Sequence, residues 1–79
     1  MNRHGVNSER YEHEGAAIAQ MRAAIKALET AVNDASHGAY RDAERVAQGA
    51  RDRLYVADIE LRRAEVAALR ERARSGAAS

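Results

Sequence analysis

Between residues 11 and 35, apolar side chains return every seven positions. Tyr11, Ile18, Ile25 and Val32 form one row; Met21, Leu28 and Ala35, three residues on, form a second in which Glu14 is the polar member. A seven-residue apolar repeat belongs to a helix that packs along one stripe, and branched residues beside Leu or Met suit a coiled-coil-like seam. The pattern predicts a first helix from about Ser8 to Ala35. Asn7 is the expected N-cap, and Val6 with Tyr11 a hydrophobic staple. Glu9, Glu12 and Glu14 then place negative charge near the positive end of the helix dipole. Gly15 weakens this helix by about 1 kcal/mol relative to alanine.

The repeat stops within NDASHGAYRD, residues 33–42. Gly38 is the natural left-handed residue to close a helix, and Ser36 or Asp34 is expected to cap the next one. A turn over residues 36–39 makes the two helices antiparallel neighbours and leaves His37, Tyr40 and Arg41 at an exposed tip. The second helix is expected from about Ala39 to Arg74, before a flexible SGAAS tail. One of its heptad rows is Tyr40, Ala47, Leu54, Leu61 and Ala68; the other, Ala43, Ala50, Ala57 and Ala64, is all alanine. Small residues let helix axes approach closely. The larger residues of the first helix are therefore expected to nest against an alanine groove on the second.

The second helix has apolar surface left over. Tyr55, Ile59, Val66, Leu69 and Ala73 recur at three- and four-residue steps on a face roughly 120° from the alanine rows. Asp58 with Arg62 and Glu60 with Arg63 have the spacing of ion pairs on a solvated face. The first helix has one face to cover and the second offers two, so this stripe is a candidate association surface. Its expected contacts are Tyr55, Ile59, Val66 and Leu69, with Arg62 and Arg63 as rim charges. Tyr40 and Arg41 at the tip are second candidates.

Composition sharpens the picture. Nineteen alanines and no proline favour helix. With no cysteine there is no disulfide framework, which fits a cytoplasmic setting; no apolar run has the length of a signal peptide or membrane span. Seventy-nine residues with twelve Leu, Ile and Val make one small domain, and a lone hairpin of this size is marginal. Self-association or a protein partner is the natural remedy.

Candidate chemistry is sparse. Glu9 and His13, four residues apart, are at most two members of a metal site, and Glu-x-x-His repeats facing inward are missing. There is no Gly-rich phosphate loop, nucleophile elbow or cysteine nucleophile, and two helices form no deep pocket. No enzyme activity, cofactor, metal or small-molecule substrate is expected. The chain holds twelve arginines and one lysine, yet its formal net charge is +1 because acids are interleaved. A basic stripe of the kind that marks nucleic-acid binding is therefore not formed, although a dimer of hairpins with an RNA-binding helix face is an alternative.

One family resemblance rests on IKALETAVNDASHGAYRDAERVAQGARDRL, residues 25–54. The segment resembles the helical-hairpin co-chaperones of type III secretion needles, with Gly38 in the turn, Tyr40 as the aromatic after it, and Ala47 and Ala50 in an alanine-rich second helix. The resemblance implies a hairpin that, with a second helical chaperone, keeps a needle subunit unpolymerised. YRDAE, residues 40–44, fits the Y-x-x-x-D/E signal of type VII secretion hairpins, but their Trp-x-Gly turn is missing here. The expected architecture is thus all-α, an antiparallel two-helix hairpin that dimerises into a four-helix bundle or docks on a larger protein. The expected function is protein binding, as an adaptor, co-chaperone or small inhibitor of cellular, phage or mobile-element origin.

Overall fold

A chain rich in alanine and free of proline propagates helix until something stops it, and here one glycine does. The computed structural model describes residues 8–78, which form α1 (Ser8–Ser36) and α2 (Tyr40–Ala78). The expected N-cap Asn7 and the staple residue Val6 lie outside the described residues.

The link between the helices is a Schellman motif. Gly38 takes φ +82°, its N–H donates to Ala35 O at 3.1 Å, and Ala39 N–H donates to Asp34 O at 2.8 Å. These are the two backward bonds that satisfy the last carbonyls of a helix around a left-handed residue. The expected side-chain cap of α2 is not formed. Ser36 Oγ instead donates to Val32 O at 2.8 Å, and the first carbonyl of α2 to accept a bond is that of Ala39, from Ala43 N–H at 2.9 Å. The tight turn explains this, because Ser36 is still the last residue of α1 when the chain reverses.

α2 also runs past its expected end at Arg74, through Ser75 and Gly76 to Ala78. The segment expected as a flexible tail contains alanine and no proline, and one glycine costs a helix only about 1 kcal/mol. The two helices, 29 and 39 residues long, lie side by side in a slab with extents of 61 × 23 × 12 Å. The hairpin is therefore one layer thick.

Alanine lines the seam from both sides. The buried residues are Ala17, Ala24 and Ala31 of α1 and Ala43, Ala50, Ala57 and Ala67 of α2; among the described residues, no side chain larger than alanine is buried. On α2, Ala43, Ala50 and Ala57 match the expected alanine row, whereas its fourth member Ala64 is only half-buried and Ala67 is buried instead. The α1 half corrects the expectation that its larger residues nest there: Ile18, Ile25, Leu28 and Val32 are 39–66% exposed. Each buried alanine of α1 lies one residue before a member of the Ile18 row. Turning α1 by about 100°, one residue step, brings methyl against methyl and lets the backbones approach, whereas Ile or Val against alanine would hold them apart. The larger side chains leave the seam for the slab's surface.

Candidate functional site

The buried alanines divide each helix into two flanks, since residues three and four positions on lie to opposite sides of the seam. On one broad face the flanks are linked by polar side chains. His13 Nδ1 and Glu60 Oε1 are 2.6 Å apart, and Arg53 donates to Gln20 Oε1 at 3.2 Å. Gln20, Arg53 and Glu60 stand three residues beyond a buried alanine, and His13 three beyond Arg10, which holds the same heptad position. Arg70 reaches Glu9 at 3.8 Å along the same edge, and Arg10 reaches Glu71 at 3.4 Å. Glu60 also meets Arg63 at 3.6 Å. This face is cross-linked by polar groups.

The other broad face carries the residues four positions beyond Ala17 and Ala24 on α1 and beyond Ala43, Ala50 and Ala57 on α2. On α1 these are Met21 and Leu28, and beside them, farther from the seam, stand Ile18, Ile25 and Val32. On α2 the matching row is Ala47, Leu54 and Leu61, with Tyr40 at its head. Leu54 and Leu61 are 46% and 43% exposed. A shallow apolar depression of about 370 Å³ is lined by Ile25, Leu28, Glu29 and Val32. Thus every heptad row that reads as packed core in the sequence, the alanine row of α2 apart, flanks this face, and the one-layer hairpin has no element to lay over it. Several large, contiguous apolar side chains are thus left in water, a feature common to association surfaces.

The stripe expected from the sequence sits elsewhere, on the outer side of α2. Tyr55, Val66 and Leu69 are 68%, 45% and 51% exposed, and Ile59 is half-buried. Val66, Arg62 and Arg63 come together with Glu9, His13 and Arg70 around a depression of about 350 Å³. Arg62 meets Asp58 at 3.2 Å and Arg63 meets Glu60 at 3.6 Å, the two pairings expected from spacing, and both arginines stay exposed. Tyr40 and Arg41 are exposed, about 22 Å along the helix from Tyr55, so the tip and the stripe do not form one site. His37 at the tip is turned back on α1, with Nδ1 donating to Asn33 O at 2.7 Å.

What the sequence reading missed is the face of α1. The signal was present as the Ile18 and Met21 rows, assigned to the seam instead of to the surface. Of the pair weighed as metal ligands, His13 turns to Glu60, and its Nε2 stays 4.0 Å from Glu9. Among the described residues no three His, Asp or Glu side chains cluster tightly enough to hold a metal ion, and no helix is long and apolar enough to cross a membrane. Comparison with known proteins finds no matching family model, curated protein or solved structure.

Proposed function

We propose that this chain is a non-enzymatic protein-binding module whose working surface is the apolar broad face of the hairpin. One observation carries the reading. The two faces of a single-layer slab differ, one tied by polar cross-links and the other exposing Ile18, Ile25, Leu28, Val32, Leu54 and Leu61. Burying such side chains is worth about 1.5–3 kcal/mol for each one fully exposed before and fully covered after; at their present half-exposure the gain is smaller but still adds over the face. An adaptor, a co-chaperone of the needle-subunit type or a small inhibitor acting by occlusion would each use a surface of this kind. The outer stripe with Tyr55, Ile59, Arg62, Arg63, Val66 and Leu69 is the proposed second contact surface.

A photoreactive side chain in place of Leu28, introduced in cells that carry the gene, tests the reading. It should cross-link to a polypeptide, either a second copy or another protein, while the same probe at exposed Arg45 should not. Equal cross-linking at both positions, or none at Leu28, would remove the apolar face as the working surface.

A further inference from the structure

We infer that the occupant of the apolar face is a second copy of this chain, turned so that the two tips point in opposite directions and α1 lies on α1, α2 on α2. This rests on the proposed binding role of that face and names its partner. The polar links fix the level of each residue along the slab. His13 is linked to Glu60 and Gln20 to Arg53, so between these links and the tip residues of α1 and α2 whose numbers sum to about 73 share a level. By that rule Arg22 is level with Arg51, and Glu29 with Glu44.

These four charges border the isoleucine and leucine rows of the apolar face; on α2 the row of Glu44 and Arg51, continued by Asp58, holds the position that the Ile18 row holds on α1. On α1, Arg22 and Glu29 stand just outside the Ile18–Ile25–Val32 row. On α2, Glu44 and Arg51 stand just outside the Tyr40–Ala47–Leu54 row. All four are exposed, and none takes part in the ion pairs that link the described residues of the hairpin. The frame is therefore two arginines at one level and two glutamates about 10 Å nearer the tip.

A second hairpin can cover this face with two-fold symmetry in two ways. With both tips at the same end, α1 lies on the partner's α2 at equal level. Arginine then meets arginine, glutamate meets glutamate, and the isoleucine row is pressed against charged positions of α2. With tips opposed, the axis passes beside Ile25 on α1 and between Ala47 and Gln48 on α2. Arg22 then faces the second copy's Glu29, and Arg51 its Glu44, each pair occurring twice. The same midpoint satisfies both helices, and apolar rows meet apolar rows. Flanking charges that select helix orientation in this manner are the rule in coiled coils.

The overlap is also large enough. From the tip to the level of Glu14 the two hairpins share about 35 Å at a width of 23 Å. That is about 800 Å² on each partner, the size of a standard specific interface. The product is a four-helix bundle whose core, between chains, is formed by the expected rows from Ile18 to Val32 and from Tyr40 to Leu54, with Tyr11 and Leu61 beyond the overlap.

Sedimentation equilibrium of the full chain and three variants tests this, with helicity followed by circular dichroism. The wild type should be a dimer that dissociates on dilution. Leu28→Glu should leave it monomeric and helical. Arg22→Glu, an exposed change that the fold tolerates, should weaken dimerisation roughly 3- to 30-fold through two lost surface pairs, and Arg22→Glu with Glu29→Arg should recover the wild-type value. A monomeric wild type at millimolar concentration overturns the inference, as does a dimer indifferent to Leu28→Glu. A dimer strengthened by Arg22→Glu overturns the orientation, since that is the sign expected with both tips at one end. If the chain stays monomeric while the Leu28 probe cross-links to a different protein, the second copy fails as occupant and the binding role stands.

Discussion

Two kinds of glycine occupy this hairpin. Gly38 holds φ +82°, a conformation that costs an L-residue roughly 1–2 kcal/mol, and both reversing hydrogen bonds of the turn depend on it. Gly15 and Gly49 lie inside helices, and a methyl group added at either meets nothing within 4 Å. The prediction separates them by sign. In urea denaturation Gly38→Ala should lose about 1–2 kcal/mol, whereas Gly15→Ala or Gly49→Ala should gain up to about 1 kcal/mol. Gly38 was legible in the sequence because a left-handed position between two helical repeats has few other occupants. The polar links were not. Nothing in the spacing of His13 and Glu60 announces that a ring nitrogen and a carboxylate forty-seven residues apart stand at 2.6 Å.

At the scale of the helix, the choice of seam follows from size more than from hydropathy. Ala17, Ala24 and Ala31 and the rows headed by Ile18 and Met21 have the same seven-residue period, so periodicity alone cannot say which one faces α2. The larger residues look like the core because they have more surface to bury. Yet a seam of paired methyl groups gains close backbone approach along the whole helix, and α2 already offers an alanine row to receive it. The α2 half of the seam was therefore readable, and the α1 half was read one residue out of place. The consequence is measurable with neighbouring substitutions. Ala24→Leu should overpack the seam and cost about 1–3 kcal/mol. Ile25→Ser, one position on at a side chain already 57% exposed, should cost the dilute chain under about 1 kcal/mol, in line with surface changes. Chemical denaturation of both variants at low concentration checks the contrast; equal losses would mean that the helix is not turned as described.

For the molecule as a whole, displacing the large side chains from the seam turns an apparent core into a surface. A slab 12 Å thick with alanine between its helices has little interior, so the apolar face is where the proposed partner would add burial. On the outer stripe of α2, Arg62 and Arg63, the expected rim charges, meet Asp58 and Glu60 as their spacing predicts. The more extensive apolar surface lies across the slab, where Arg22, Glu29, Glu44 and Arg51 frame it.

Because the chain has no cysteine, a single introduced thiol reports its own environment, and the labelling rates of Ala24→Cys and Ile25→Cys over a dilution series test both halves of this account. The thiol at position 24 should be protected at every concentration, and the thiol at position 25 should react freely when dilute and become protected as the chain is concentrated. Free reaction at position 24, together with protection at position 25 in the most dilute sample, would contradict it.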